Sequence, residues 1–161
     1  MTITEAVRSG FRNATRFSGR TRRPDYWWFF LFVFAGAAVI GAIELALRGA
    51  QGGIVLRLFQ LVTLLPLLAL GYRRIQDTGR PGWWSLAASS VVIVTALIAG
   101  SVSQRVAGGA LPAAPGGLAG QPAVITLALV LQIGAGLVII WWMSRPSQRG
   151  ANAYGPEPRV T

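Results

Sequence analysis

The stretch "YRRIQDTGRPGWW" (Tyr72–Trp84) sets three arginines, one aspartate, two glycines and a proline between two long apolar runs, then ends on paired tryptophans. Gly79, Pro81 and Gly82 break helical or strand continuity, so the chain turns here. A span of the bilayer needs ~20 mostly apolar residues. The runs on either side are long enough, about Ile54–Tyr72 before the stretch and about Trp83–Val102 after it. The stretch therefore reads as a hairpin turn at a membrane surface, with Trp83 and Trp84 anchoring the next helix at the headgroup level.

Two more runs qualify as spans, about Tyr26–Leu47 and about Ala123–Met143. The composition agrees. Hydrophobic residues make up 53% of the 161 and charged residues 12%, about half the charge of an ordinary soluble domain. The expected fold is an all-α membrane protein forming a single domain over 1–161. It has four transmembrane helices, at about 26–47, 54–72, 83–102 and 123–143. A Gly/Ala/Pro-rich loop (103–122) and a tail (144–161) complete it.

All fifteen basic residues are arginine, giving a net charge of +10. Twelve of them fall before the first span, between the second and third, and in the tail; Arg48, Arg57 and Arg105 fall on the opposite side. The positive-inside rule then places both termini in the cytoplasm and loop 103–122 outside. Long apolar runs and the lack of a recognition motif exclude a nucleic-acid module. Cys and His are absent, which removes thiolate chemistry and the commonest general base and metal ligand. The first 21 residues have no apolar core of the kind a signal peptide carries.

Residues Thr2–Gly19 have a helical period. Ile3, Val7, Phe11, Ala14 and Phe17 share one face, and Arg8, Arg12 and Arg16 lie opposite. Thr2 and Glu5 fit a capping box and Gly19 a C-terminal stop. This predicts a short amphipathic interfacial helix over about 3–18, lying on anionic lipid; the alternative is that it packs on the cytoplasmic ends of the other spans.

All six tryptophans occur as pairs beside an Arg-Pro step: "RRPDYWW" (Arg22–Trp28), "GRPGWW" (Gly79–Trp84) and "WWMSRP" (Trp141–Pro146). By the topology above, all three pairs lie on the cytoplasmic side. Ordinary aromatic belts decorate both interfaces, so this asymmetry points to a face that does more than anchor. The candidate lipid- or partner-binding residues are Arg20, Arg22, Arg23, Asp25, Trp27, Trp28, Arg73, Arg74, Asp77, Arg80, Trp83, Trp84, Trp141, Trp142 and Arg145. Acids contribute little to orientation, so Asp77 and Asp25 need another reason. Each is expected to pair with an arginine of the other cluster, Asp77 with Arg22 or Arg23. The competing reading is a local cap in which Asp77 binds its own turn.

Few polar groups lie inside the spans. Glu44 sits four residues before Arg48 and is expected to pair with it. Pro66 should kink its helix, and Gln132 should bond a neighbouring helix. Stripes of small residues (Ala38, Ala42 and Ala46; Ser85 and Ser89) would suit close helix contact within the bundle or a homo-oligomer. No catalytic motif, metal-ligand set or cofactor signature appears. The expected role is non-enzymatic, a basic Trp-rich cytoplasmic face engaging anionic lipid headgroups or a membrane-protein partner. A small oligomeric transporter or channel is the alternative.

The segments "FSGRTRRPDYWWF" and "RRIQDTGRPGWW", with the tail "GANAYGPEP" (Gly150–Pro158), resemble the domain-of-unknown-function 805 family in order and spacing. The resemblance covers nearly the whole chain. It implies a small multi-span protein of the bacterial inner membrane and implies no reaction.

Overall fold

The computed structural model describes residues 2–48, 53–107 and 120–158. Five helices follow one another: α1 (Ile3–Arg12), α2 (Arg23–Arg48), α3 (Ile54–Asp77), α4 (Trp83–Ala107) and α5 (Gly120–Ser144). No strand occurs among the described residues, where the one β-type pairing is an isolated bridge between Asn152 and Gly155. Arg23–Leu47, Ile54–Asp77 and Thr126–Ser144 are long and apolar enough to cross a membrane; the apolar stretch Trp83–Ile98 is shorter. Large apolar side chains such as Phe34, Leu45, Leu61, Val62, Leu97 and Leu137 are exposed. Faces this apolar would not be tolerated in water.

The chain divides into two compact units, residues Met1–Ser85 with Met143–Thr161, and residues Leu86–Trp142. In the first, α1, α2 and α3 pack on one another through a ladder of rings. Phe11 meets Phe29 edge-on at 5.6 Å, Phe29 meets Phe32 at 6.0 Å, and Phe32 meets Phe59 at 5.9 Å. Tilted and edge-on pairs at these distances are favourable beyond their buried area. Gly10 makes the docking of α1 possible, because a β-carbon there would sit 2.5 Å from the Phe29 ring. In the second unit Thr95 and Ala128 are buried, and the Thr95 hydroxyl donates to Val91 O at 2.7 Å within its own helix.

Two features differ from expectation and a third adds to it. First, α3 runs on to Asp77, so "YRRIQD" is helix and the turn is confined to Thr78–Gly82. The side chains of Arg73, Arg74 and Asp77 are buried there, and their contacts, described below, hold the last turns together. Gly79 takes a φ of +79°, which strains any residue bearing a β-carbon, and such a carbon would also run into the Gln148 side chain.

Second, α1 ends at Arg12, six residues short. Thr2 and Glu5 form the capping box: Thr2 N–H donates to Glu5 Oε2 at 2.8 Å and Glu5 N–H to Thr2 Oγ1 at 3.4 Å. At the other end the Asn13 amide donates to Ser9 O at 2.9 Å and caps the helix. Asn competes well for backbone groups in this way. The segment beyond is drawn down instead of continuing as helix, with Phe17 edge-on to Tyr72 at 5.5 Å.

Third, Glu44 works as a cap. Its carboxylate accepts from Val55 N–H at 2.9 Å and Leu56 N–H at 3.1 Å, satisfying two of the orphan donors at the start of α3. The Arg48 side chain expected to pair with it lies outside the described residues. So does the centre of the expected loop, 108–119; helix covers both of its ends.

Candidate functional site

The first unit is organised around Asp77, the last residue of α3, which is fully buried. A carboxylate out of water is tolerated only when its charge and lone pairs are met. Two arginines meet them. Arg20 Nε donates to Oδ1 at 2.8 Å, and Arg74 Nη1 donates to Oδ2 at 2.6 Å from one turn earlier in the helix. The side chains of all three are no more than 1% exposed.

The same arginines gather the polypeptide that follows Trp142. Arg20 Nη2 donates to Gln148 O, and its Nη1 to Gly150 O and Gly155 O. Arg74 Nε donates to Met143 O at 3.2 Å and Nη2 to Arg145 O, which also accepts from Arg23 Nε at 2.7 Å. A planar guanidinium with five donors suits this bridging as a Lys ammonium would not. The backbone closes the join, with Gln148 N–H donating to Asp77 O at 2.9 Å.

The tail is folded by its own sequence. Asn152 Nδ2 donates to Gln76 O at 3.0 Å, while its Oδ1 accepts from Tyr154 N–H at 2.9 Å. Asn152 and Gly155 exchange backbone hydrogen bonds at 3.0 and 3.1 Å. Glu157 accepts from Gly150 N–H at 2.8 Å. The motif "GANAYGPE" is thus a small knot pinned to the end of α3.

The two arginine clusters do meet, as expected, but through Arg20 in place of Arg22 or Arg23. Asp25, expected to pair with an arginine of the other cluster, pairs locally with Arg22 at 3.4 Å, both side chains 19% exposed. Arg23 holds the tail. Of the expected surface residues, Arg20, Arg73, Arg74 and Asp77 are turned inward. Each tryptophan pair sends one ring outward, Trp28, Trp83 and Trp141, and keeps the other partly covered, Trp27, Trp84 and Trp142. Arg80 lies over the Trp84 ring at 5.4 Å, within cation–π range. On α1, Ala6 and Gly10 are buried, Ile3 and Phe11 remain about 40% exposed, and Arg8 and Arg12 are exposed beyond them.

Sequence reasoning did not single out Arg20 as the Asp77 partner, nor Gln148 and Asn152. The signal for Arg20 is weak: it follows Gly19, which takes a φ of +111° and ends the segment leading to α2.

Two relatives carry part of the same sequence. The chain is 44% identical to the inner membrane protein YhaI of Escherichia coli K12 over 78 residues, 48% of this chain and 65% of that one. It is 35% identical to the inner membrane protein YhaH of the same organism over 78 residues, 47% of this chain and 64% of that one. The match thus spans less than two thirds of either relative. No solved structure matches. The family model for proteins of unknown function DUF805 matches residues 14–156, a range that takes in the Arg20–Asp77–Arg74 cluster, the tryptophan pairs and the tail knot, and the chain belongs to that family.

Proposed function

We propose that this is a four-span protein of the bacterial inner membrane with both termini in the cytoplasm, and that it works by binding rather than catalysis. Its cytoplasmic face is a pre-formed platform that engages anionic lipid headgroups. The observation that carries this reading is the buried Arg20–Asp77–Arg74 cluster, which consumes the inner arginines and fixes the tail. What is left facing outward in the first unit is basic and aromatic: Arg8, Arg12, Arg16 and Arg149, with Trp28 and Trp83. Arginines at an anionic surface contribute about 1 kcal/mol each, and outward indoles suit the headgroup level. Helix α1 fits the edge between bundle and lipid, one flank docked on Phe29 and the other apolar flank open. The two relatives' names place those proteins in the inner membrane, which supports the location.

The test is binding of the detergent-solubilised full chain to bicelles of anionic or zwitterionic lipid, followed by tryptophan emission. Affinity should be higher for the anionic bicelles, fall with salt and drop about thirtyfold in the Arg8→Gln/Arg12→Gln variant. Equal affinity for both lipids would contradict the reading.

A further inference from the structure

Arg73 and Arg74 are neighbours on the last turns of α3 and both are buried, yet they are served very differently. Arg74 places its donors on Met143 O, Arg145 O and Asp77. Arg73 places Nε on Ala69 O of its own helix at 3.2 Å, while its Nη2 is enclosed and meets no acceptor among the described residues. The neighbours of Arg16 and Arg73 in the chain, Phe17 and Tyr72, meet edge-on at 5.5 Å, which brings the Arg16 segment against this part of α3; Arg16 acts on the Arg73 charge by repulsion and Asp25 by attraction. Asp25 is already shared with Arg22, and its Oδ1 accepts no hydrogen bond. The corner where the α1–α2 connection crosses α3 therefore holds three arginines against one carboxylate. A buried guanidinium with an unmet donor beside a second positive charge is costly.

We infer that Arg73 and Arg16, with Asp25 beside them, form a site for the phosphate of an anionic lipid headgroup. This deepens the lipid-face reading and rests on it. The phosphate oxygens accept from Arg73 Nη2 and from the exposed Arg16 guanidinium, and the negative charge offsets the repulsion between the two. Asp25 narrows the ligand. It opposes a second negative charge, which disfavours a phosphate monoester, and its Oδ1, which has only the 3.4 Å ion pair to Arg22 and no hydrogen bond, accepts from a hydroxyl. The ligand chemistry is a phosphodiester with a neighbouring hydroxyl, as in phosphatidylglycerol. The site is separate from the tail clamp, which engages Arg20, Arg23 and Arg74.

Native mass spectrometry of the detergent-solubilised full chain tests this, with phosphatidylglycerol and phosphatidylcholine as probes and inorganic phosphate as competitor. The unaltered chain should retain phosphatidylglycerol about tenfold better than phosphatidylcholine. Arg16→Gln, at an exposed position, should abolish that preference, and Arg73→Lys should weaken it because an ammonium lacks the forked donors. Arg57→Gln, at the opposite end of α3, should leave it in place. Displacement of retained lipid by millimolar phosphate would overturn the selection that Asp25 makes for a phosphodiester; no displacement would support a site that needs the lipid headgroup. An Arg16→Gln protein that keeps the full preference overturns the site. If the preference is then lost only in Arg8→Gln/Arg12→Gln, the broader lipid reading survives. A chain with no preference in any form overturns both.

Discussion

Arg20 Nε and Asp77 Oδ1 lie 2.8 Å apart, although the two residues are 57 positions apart in the chain, with side chains 1% and 0% exposed. This contact closes the connection before α2 onto the end of α3. Through the other donors of Arg20 it also closes the tail onto both. One acid therefore organises three separated pieces of sequence, which accounts for an aspartate amid arginines that topology alone would leave without it.

The tail should be a fixed part of the face. Asn152→Ala removes the bond to Gln76 O and the one from Tyr154 N–H, and Arg20→Gln removes the clamp. Trypsin cleavage after Arg149 in the detergent-solubilised protein should be slow in the unaltered chain and several-fold faster in either variant, because local opening exposes the bond. Equal rates would mean the tail is not held.

Helix α1 should depend on Gly10. Gly10→Val places branched carbons into the Phe29 ring, and overpacking of this kind costs about 1–3 kcal/mol. Amide hydrogen exchange over Ile3–Arg12 should speed up markedly while exchange in α3 stays unchanged. Unchanged protection of α1 would count against its docking on Phe29.

The start of α1 should loosen in acid. The Thr2 N–H holds the Glu5 carboxyl below its usual range. A depressed folded-state pKa means that the stabilisation is present above the unfolded value near 4.5. It is lost as pH falls through the lowered folded value. Helicity of Ile3–Arg12, followed by residue-resolved NMR shifts, should therefore be flat above that value and fall below it. Glu5→Gln should remove the dependence; a dependence that survives the substitution would assign it to another group.

Orientation follows from the twelve arginines on one side. Tags at either terminus should be cytoplasmic and a reporter at Ala113 extracytoplasmic. A cytoplasmic reporter at Ala113 would break the four-span topology.

The long apolar helices were legible because length and hydropathy suffice to mark them. The Thr2–Glu5 box was legible because capping is local in sequence. Helix ends were harder. The residues Tyr72–Asp77 look like a turn because charge normally sits in water, and they remain helical because Arg20 and the Met143–Gly155 carbonyls supply distant partners. That Asp77 would reach the other cluster could be argued from charge. Which arginine it reaches could not, since Arg20, Arg22 and Arg23 differ only in where the chain entering α2 points them. The roles of Gln148, Asn152 and Glu44 depend on contacts across long stretches of chain and carry no periodic signal.

The most direct test is a double-mutant cycle between Arg20 and Asp77, read from unfolding of the full chain in mixed micelles. Asp77→Asn should cost about 3–5 kcal/mol because it leaves buried arginines uncompensated. Arg20→Gln should also be costly, and the double variant should lose less than the two single losses together, with a coupling of at least about 1 kcal/mol. Additive losses would contradict a face assembled around this pair.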